Sequence, residues 1–549
     1  MISKKPNIVF ILIDDMGWMD LVCYGSEFYE TPNIDKLSKE GMLFTNAYAA
    51  SPLCSPARAS ILTGRYPATV GVTDYIDHGF TQPSRGKLID APNLGCLPLS
   101  EKSLADALGA GGYHTWHVGK WHLGEEETYP QKHGFDVNIA GTEWGYPLKG
   151  YFSPWGIKNL EEGPDGEYLT DRITDEAIRL INNNDGRPFF LNLWHFAVHV
   201  PLQAKEEDVI RFQKKAASTG LDKRQTLVEG EPFPAINKKH LRVTRRIIQS
   251  DPRYAAMIYN LDWNIGRLLK AIDDAGQTDN TLVIFTSDNG GDSTAEGSPT
   301  CNAPLSEGKG WMYEGGVRVP LIIKWPDVVK AGSVCDEVVT SPDFYPTLID
   351  AAELPLVHDQ VEGVSFLNQI KGGIKLDREA IYWHYPHYGV HGGSPASSMR
   401  MGDFKLIEFF EDYKVELYNL KDDISEEKNL SEDLPDLVAK MKSMLENWRK
   451  NVGAKLPKPN PDAEEEMSEA WHYIEYGALV KNQGTFLKIG DYKLIEYIED
   501  GKVELYNIKE DANETRNLAE KMPKLISWMR SWEGRERYIR YGEGISYKP

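Results

Sequence analysis

The sequence predicts an α/β fold in which a largely parallel sheet is covered by helices on both faces. The first observation is the continuous apolar run Ile8–Ile13, which is typical of a strand buried on both faces. The second is the alternation of such runs with amphipathic helical patterns over the first two thirds of the chain. Since ligands of such sheets bind beyond the carboxyl ends of the strands, the residues after each strand are the first candidates for a functional site.

The elements can be assigned in chain order from composition and helix-end signals. Thr31-Pro32 begins a short helix that Gly41 ends, with an N-cap residue, a proline in the first turn and a glycine after the last. Asp251-Pro252 begins a long amphipathic helix that ends near Gly276. The polar segment Gln203–Ile248 is expected to be a surface insertion. Further strands are predicted at His114–Val118, Phe189–Trp194, Thr281–Ser287 and Val319–Lys324.

The last third of the chain contains an internal repeat. Gly402–Glu408 returns as Gly490–Glu496, and Lys414–Asn419 returns as Lys502–Asn507, both at an offset of 88 residues. We predict a tandem duplication of a small α+β module, in which antiparallel strands precede one helix and the acidic, Pro-rich Pro457–Glu466 is the linker. The predicted domains are an α/β domain at 1–375, a C-terminal α+β subdomain at 376–456 and a second copy of that module at 467–549.

The overall charge argues against two classes of partner. The chain has 82 acidic and 61 basic residues, which gives a formal net charge of −21. A nucleic-acid-binding protein would show a basic surface, and an anionic membrane surface would repel this chain, so we expect neither partner. An anionic substrate would need a pocket that supplies its own local cations.

The cysteines and the N-terminus bear on the compartment. The five cysteines include no C-x-x-C pair, so we expect neither a disulfide scaffold nor a zinc knuckle. A single disulfide between two of them remains an alternative. The run Ile8–Ile13 is too short for a signal peptide and ends in two aspartates. As written, the chain is expected in the cytoplasm, or in the periplasm or outside the cell if a signal segment has been removed.

Two acidic pairs follow predicted strands. Asp14 and Asp15 come directly after Ile8–Ile13, and Asp288 and Asn289 come directly after Thr281–Ser287. Adjacent carboxylates at the end of a buried strand are costly unless a cation neutralises them. Oxygen donors without sulfur or imidazole favour a hard cation, calcium or magnesium. Either pair alone is more typical of a turn or a helix cap, whereas both together favour a metal site.

Cys54 begins the string Cys-Ser-Pro-Ala-Arg. Pro56 suits the first turn of a helix and Gly64 suits its end, so Cys54 is expected at a helix N-terminus, where the helix dipole favours an anion. Arg58 lies four residues later on the same helix face. A lone cysteine is usually a small buried hydrophobe, but the complete string favours a functional residue.

Further cationic and imidazole side chains lie in loops. Lys120 and His122 follow one predicted strand and can point at one anion, although an isolated Lys-x-His is usually solvated. His199 follows the strand Phe189–Trp194, and the nearby His195 is the more typical structural histidine. Lys309 lies between two glycines, which allow the backbone to approach a ligand closely.

These motifs together match a protein family. The chain resembles the type I, formylglycine-dependent sulfatases of the alkaline phosphatase superfamily, and among them the bacterial carbohydrate sulfatases. The resemblance rests on Cys54–Arg58 with the downstream Leu62–Arg65, on Gly119–Gly124, and on the order of the remaining motifs over about residues 6–450. It implies an alkaline phosphatase-like fold and hydrolysis of a sulfate monoester. The second copy of the C-terminal module is not part of the family pattern.

The resemblance also implies roles for individual residues. A maturation enzyme would oxidise Cys54 to formylglycine, whose hydrated aldehyde carries two hydroxyl groups. Arg58 would hold this diol, and His122 would take a proton from its second hydroxyl. Lys120 and Lys309 would bind sulfate oxygens. His199 would protonate the leaving alcohol. The implied ligands of calcium, with magnesium as the less favoured ion, are Asp14, Asp15, Asp288, Asn289 and the converted Cys54.

The substrate class is less sharply indicated. The aromatic and His-rich stretches Trp383–His391 and Asp74–His78 suggest a rim for a sulfated small molecule or glycan. The candidate rim residues are Asp77, His78, His384 and His387. Two alternatives stay open. One is a phosphonate monoester or phosphodiester hydrolase, which can share the Cys-x-Pro-x-Arg core. The other is a calcium-stabilised binding protein with an unconverted Cys54. A homo-oligomer is also possible.

Overall fold

The computed structural model describes residues 5–77, 86–238, 241–356, 361–373, 375–461, 463, 475–479, 484–489, 492–497, 502–511, 515–523 and 526. Its strands, in chain order, are β1 (Asn7–Ile13), β2 (Met42–Phe44), β3 (Ala47–Tyr48), β4 (Leu88–Ile89), β5 (His114–Gly119), β6 (Val137–Ile139), β7 (Phe189–Trp194), β8 (Leu227–Pro232), β9 (Arg242–Arg246), β10 (Thr281–Ser287), β11 (Leu321–Lys324), β12 (Ser333–Cys335), β13 (Val339–Thr340), β14 (Ile381–Tyr385), β15 (Ala396–Met401), β16 (Phe404–Phe409), β17 (Val415–Asn419), β18 (Lys458–Pro459), β19 (Glu475–Leu479), β20 (Gly484–Ile489), β21 (Tyr492–Tyr497) and β22 (Val503–Asn507). Its α-helices are α1 (Pro32–Glu40), α2 (Cys54–Thr63), α3 (Pro67–Val70), α4 (Leu104–Ala110), α5 (Leu169–Asn182), α6 (Glu206–Thr219), α7 (Pro252–Asp274), α8 (Glu314–Val317), α9 (Phe344–Ala351), α10 (Leu367–Ile370) and α11 (Pro435–Asn451).

An eight-stranded sheet forms the centre of the α/β region, in the order β12-β2-β11-β10-β1-β7-β5-β6. Strands β10, β1, β7, β5 and β6 run parallel to one another. Strand β11 runs antiparallel to both of its neighbours, β10 and β2. The predicted fold class, a mixed and mostly parallel sheet flanked by helices, is therefore confirmed.

Strand β1 shows why the sheet is covered on both faces. Every residue of β1 is buried, and its side chains alternate between two hydrophobic clusters. Phe10 and Leu12 pack with helices α2, α4 and α9, whereas Val9 and Ile11 pack with α1, α5, α6 and α7. A strand without a polar face is stable only between two such layers, as the apolar run in the sequence predicts.

The element boundaries agree with the sequence, with one-residue differences at the start of β1 and the end of β5, except in two places. Strands β7 and β10 have the predicted bounds. Strand β11 begins at Leu321 because the amide of Val319 donates outside the central sheet, to the carbonyl of Ala47. The segment expected to be a surface insertion contains helix α6 and the hairpin of β8 and β9, and Val209 and Phe212 of α6 are buried in the core. Part of that segment is therefore integral to the fold.

A second sheet, β14-β15-β16-β17, is antiparallel and packs with helix α11. Its other face lies against the α/β region, where Nε1 of Trp383 donates to the carbonyl of Ala49 at 2.7 Å. Nζ of Lys405 is buried 3.0 Å from Glu314 and 2.9 Å from Glu426. Because an ammonium group can be buried only beside such partners, this ion network links the C-terminal subdomain to helix α8.

The strands β19 to β22 form a further antiparallel sheet, in the order β19-β20-β21-β22. Its register repeats that of the second sheet, since Phe404 pairs with Asn419 and Tyr492 pairs with Asn507. This register is what the predicted duplication requires, but the duplication and the domain boundaries stay predictions. The helix expected after β22 lies largely outside the described residues.

Two further observations concern the cysteines and membranes. All five cysteines are free thiols. Over the described residues, the longest apolar helical stretches fall short of what a bilayer crossing needs.

Candidate active site

Four strands of the central sheet end at the same edge, and each is followed by a candidate functional residue. Asp14 and Asp15 follow β1, and Asp288 follows β10. Lys120 follows β5, and His199 lies shortly after β7. Because these strands are parallel, their carboxyl ends bring together residues that are far apart in the sequence.

Three carboxylates form the centre of the site. Oxygen atoms of Asp14, Asp15 and Asp288 lie within 4.8 Å of one another, and all three residues are buried. Burial raises the pKa of the Asp14 carboxyl well above its ordinary value, although the Lys120 ammonium opposes this effect. At Asp14 the neighbouring cations therefore do not offset the effect of burial, and further positive charge is missing there.

The donor set fits a hard divalent cation. Nδ2 of Asn289 donates to Oδ1 of Asp15 at 2.9 Å, while the buried Oδ1 of Asn289 has no hydrogen-bond partner within the described part of the chain. Three carboxylates and an amide oxygen are the ligand types that calcium and magnesium prefer. Such an ion would add the missing positive charge and give the amide oxygen of Asn289 a partner.

Arg58 connects helix α2 to this centre. Its Nε and Nη2 donate to Oδ2 of Asp288 at 2.9 and 2.7 Å, and Nη2 lies 3.5 Å from Oδ1 of Asp14. Its Nη1 donates to the carbonyl of Lys120 at 3.2 Å. The guanidinium is fully buried beside the ring of Trp194, so packing and the three hydrogen bonds together fix its position.

Cys54 is the first residue of helix α2, as the sequence predicts, and Gly64 ends the helix with φ 68°. All ten residues of the helix are buried. Burial raises the pKa of the Cys54 thiol, so the unmodified side chain is a poor nucleophile at neutral pH.

His122 lies next to Cys54, with its Nδ1 3.2 Å from Sγ. Its Nε2 lies 3.0 Å from the carbonyl of Ile76, and since a carbonyl only accepts, Nε2 carries the proton. In the neutral ring, Nδ1 therefore presents its lone pair to residue 54. The hydrogen bond to Ile76 prepares His122 to take a proton from that residue.

Two lysines and His199 surround the carboxylates. Nζ of Lys120 lies 2.7 and 2.9 Å from the two oxygens of Asp14, and Nζ of Lys309 lies 2.7 Å from Oδ2 of Asp15. Nδ1 of His199 donates to the carbonyl of Val200, so its Nε2 accepts from Nζ of Lys309 at 3.0 Å. Burial and the neighbouring Lys309 lower the pKa of His199 to about 4.

The structure brings together all the predicted metal and catalytic residues, whereas the predicted rim residues lie in different environments. His384 is buried, with Nδ1 2.7 Å from Oγ of Ser397 and Nε2 2.8 Å from the carbonyl of Lys455. Both ring nitrogens are thus used by the protein, and the assignment of His384 to the rim stays a prediction.

The other predicted rim residues divide into three cases. His387 is also buried, with Nε2 2.9 Å from Oγ1 of Thr73, and its assignment to the rim stays a prediction. Asp77 is partly exposed. His78 lies outside the described residues.

Several residues near the site were not predicted from the sequence. The ring of Tyr146 stacks on that of His199, with 6.2 Å between centroids. Oε2 of Glu296 lies 3.8 Å from Nζ of Lys309, and Asp292 and His391 lie beside Glu296. Two signals were available: Asp292 lies four residues after Asp288, and His391 is the last residue of the His-rich stretch Trp383–His391 that suggests a rim.

Comparison with protein families gives two matches. A family model described as Sulfatase matches residues 6–354. A model described as N-sulphoglucosamine sulphohydrolase, C-terminal, matches residues 308–451. The predicted metal and catalytic residues all lie within the first match, and the residues after 451 lie outside both.

Individual relatives are similar over most of the chain. A curated protein named Sulfatase from Formosa agariphila is 32% identical over 552 aligned residues, which cover 84% of this chain and 93% of the relative. An N-acetylgalactosamine-6-sulfatase from Rattus norvegicus is 31% identical over 432 residues, with 73% and 71% covered. The crystal structure of Ps i-CgsB in complex with k-i-k-neocarrahexaose has a TM-score of 0.64 and 31% identity, and covers 81% of this chain and 93% of that one.

Proposed function

The chain belongs to the sulfatase family of sulfuric ester hydrolases, and we propose that it removes sulfate from a sulfated sugar or glycan with a formylglycine made from Cys54. One observation carries the proposal: the side chain of Cys54 faces the lone pair of His122 at 3.2 Å, within a buried group of carboxylates and cations. A buried thiol has no evident use there, whereas an oxygen nucleophile does.

We propose that calcium is held by Asp14, Asp15, Asp288 and Asn289 together with residue 54. When bound, it supplies positive charge that lowers the pKa of the attacking hydroxyl and polarises the sulfate. The protein's own part is to hold the ligands. Arg58 fixes Asp288 through two hydrogen bonds, and the amide of Asn289 fixes Asp15.

We propose that a formylglycine-generating enzyme converts Cys54. The hydrated aldehyde would supply two hydroxyl groups. One attacks sulfur and displaces the alcohol, and deprotonation of the other then expels sulfate by C–O cleavage and restores the aldehyde. His122 takes a proton from residue 54, because the carbonyl of Ile76 holds its Nε2 protonated and its Nδ1 faces residue 54 with the lone pair. The maturation enzyme, like the cellular compartment and the oligomeric state, stays a prediction.

Lys120 and Lys309 are proposed to bind the oxygens of the sulfate group. Each ammonium lies against one carboxylate of the centre, and a bound cation would free both lysines to turn towards the substrate. Charge that develops on the sulfate oxygens is stabilised by such fixed cations in a buried site. His199 is proposed to protonate the leaving alcohol from Nε2, which faces the same space as Lys309. Nε2 accepts from Lys309 in the structure, so the step requires that Lys309 turn towards the sulfate and that the negative charge of the bound substrate raise the pKa of His199 from about 4.

The names of the relatives support a sugar as the substrate. One is an N-acetylgalactosamine-6-sulfatase, and another was crystallised with a neocarrahexaose. The partly exposed Asp77 and the ring of Tyr146 beside His199 are suitable contacts for a sugar ring, which presents hydroxyl groups and an apolar face.

The proposal can be tested by peptide mass spectrometry on active protein from its natural host. We expect the peptide that contains Cys54 to be lighter than the thiol form by about 18 Da, the difference between thiol and aldehyde. The peptides of the other four cysteines provide the internal control. An unmodified Cys54 in protein that hydrolyses a sulfate ester would disprove the mechanism.

The choice of ester can be tested with the same preparation. Turnover of 4-nitrophenyl sulfate should exceed turnover of an aryl phosphonate monoester, and the Cys54→Ala variant should turn over neither. Faster phosphonate hydrolysis would favour the phosphonate monoester hydrolase alternative. Folded, calcium-loaded protein that keeps an unmodified Cys54 and binds a sulfated sugar without turnover would favour the binding-protein alternative.

A further inference from the structure

A polar cluster beside Lys309 has no part in the proposed chemistry. It consists of Asp292 and Glu296, from the loop after β10, and His391, from the loop between β14 and β15. Four of its buried atoms have no hydrogen-bond partner among the described residues: Oδ2 of Asp292, Oε2 of Glu296, and both ring nitrogens of His391. Native proteins rarely leave so many buried polar atoms unsatisfied in one place, which indicates that a ligand completes the cluster.

The fold holds this cluster firmly. Oδ1 of Asp292 accepts from the amides of Thr294 and Ala295 at 3.3 and 3.1 Å, which fixes the turn that leads to Glu296. The carbonyl of His391 accepts from Nε1 of Trp311 at 3.0 Å and from Oγ1 of Thr294 at 3.1 Å. Nε2 of His391 nevertheless stays 3.8 Å from Glu296 and 3.9 Å from Asp292, which is too long for a hydrogen bond.

Glu296 is the member of the cluster that faces the reaction. Its side chain is 17% exposed, whereas those of His391 and Asp292 are 2% and 1% exposed. Its carboxylate lies within 4.8 Å of the corresponding atoms of Asp15 and His199. Because His199 is the proposed proton donor to the leaving alcohol, Glu296 lies close to the space that the sugar ring of this alcohol would occupy.

We propose that Glu296, supported by His391 and Asp292, binds a hydroxyl group of the sugar ring that loses its sulfate. This inference rests on the proposed function and adds a substrate class to it. A carboxylate accepts a strong hydrogen bond from a hydroxyl but repels a second sulfate or a uronic acid carboxylate. The enzyme therefore selects a ring that carries one sulfate beside a free hydroxyl, and discriminates against a ring with another anionic group at that position.

A second divalent cation is the competing occupant of the cluster, since two carboxylates and an imidazole are also metal ligands. The ammonium of Lys309, 3.8 Å from Oε2 of Glu296, argues against it because two positive centres would repel each other. A hydroxyl group causes no such repulsion and can also donate to the carboxylate.

The test compares the wild type with Glu296→Gln, both fully converted at Cys54. The substrates are a panel of monosulfated hexoses and N-acetylhexosamines, their disulfated counterparts, and 4-nitrophenyl sulfate, which has no hydroxyl group. We expect the kcat/KM of the variant on the best monosulfated sugar to fall at least about tenfold more than its kcat/KM on 4-nitrophenyl sulfate. The preference for monosulfated over disulfated rings should shrink as well. Glu353→Gln, which removes the same charge at an exposed position, is the matched control.

Three outcomes would overturn the inference. An equal loss on sugar and aryl sulfates would mean that Glu296 acts on Lys309 or His199 and does not bind a hydroxyl. A metal content of two ions per chain that falls to one in His391→Ala, measured by elemental mass spectrometry, would assign the cluster to a cation. Hydrolysis of 4-nitrophenyl sulfate without activity on any sugar sulfate would reject the proposed sugar substrate itself, and the inference with it.

Discussion

The α-hydrogen side of Gly145 lies directly against the imidazole of His122: a β-carbon on Gly145 would stand 2.6 Å from Cε1 of that ring. The position of His122 relative to Cys54 therefore depends on the absence of a side chain in a different loop. Since proton transfer requires hydrogen-bond distance, this contact makes Gly145 a positioning residue for the proposed base.

Replacing Gly145 with alanine should displace His122 and lower kcat by about 100-fold, because a shift of about 1 Å is enough to disrupt a catalytic geometry. The melting temperature should change little by comparison. Gly95→Ala is the matched control, since a β-carbon there meets no atom within 4 Å. Wild-type kcat in Gly145→Ala would show that the neighbouring loop moves aside.

Removing the ring of His122 should lower kcat by about 10²- to 10⁴-fold, the usual contribution of general acid–base catalysis. The His122→Ala variant should still bind the substrate, so its KM should change far less than its kcat. His114→Gln, at a partly exposed histidine that contacts Asp185, serves as the control. A KM effect as large as the kcat effect would assign His122 to substrate binding.

Removing the metal should destabilise the protein. Calcium that binds only the folded chain raises its melting temperature with concentration, and a chelator should reverse this rise. Asn289→Ala removes one proposed ligand and should weaken calcium binding at least about tenfold, as measured by calorimetry. The exposed Asn451→Ala provides the control. A melting temperature that neither chelator nor calcium shifts would reject the metal site.

The buried ion network between the two regions should make Lys405 important for stability. Lys405→Met leaves Glu314 and Glu426 buried without their common partner, and should lower the free energy of unfolding by about 3–5 kcal/mol. Lys414→Met, at a side chain that is 57% exposed and paired with Glu416, should cost no more than about 1 kcal/mol. Urea unfolding measures both, and similar losses in the two variants would contradict the role of burial.

His384 should make the protein sensitive to acid. Burial lowers its pKa to about 3 in the folded state, whereas the unfolded value is near 6.5. The unfolded chain therefore binds a proton that the folded chain excludes, so stability is complete above about pH 6.5 and is lost as the pH falls towards 3.

At pH 5 the loss attributable to His384 should be about 2 kcal/mol relative to pH 8. His384→Gln should remove that part of the pH dependence, which urea unfolding at both pH values measures. The difference between the two pH values, and not the absolute stability of the variant, is the informative quantity. An unchanged difference would show that His384 is protonated in the folded chain.

The sequence was sufficient to predict the site residues that belong to short local motifs. The acidic pairs after two strands, the Cys54–Arg58 string and Lys120-x-His122 all lie at strand or helix ends, where one short pattern determines both the element and the residue that leaves it. The parallel sheet then brings these ends to one edge, so a correct fold class was enough to place them together.

The sequence was less informative where burial depends on distant segments. His384 is predicted to lie at an exposed rim, but its ring is buried and its Nε2 contacts the carbonyl of Lys455, 71 residues later in the chain. Glu296 and His391 come from loops in different regions of the chain and meet only in the folded molecule. No local periodicity encodes contacts of this kind, so they had to come from the structure.

The complete burial of helix α2 limits when its first residue can be modified. An enzyme that oxidises Cys54 needs access to its side chain, which the folded protein buries together with the whole of helix α2. Under the proposed conversion, oxidation must occur before the central sheet closes over the helix. The fraction of active molecules then depends on the rate of modification relative to the rate of folding during synthesis. Slower folding or more maturation enzyme should raise the specific activity without any change in sequence.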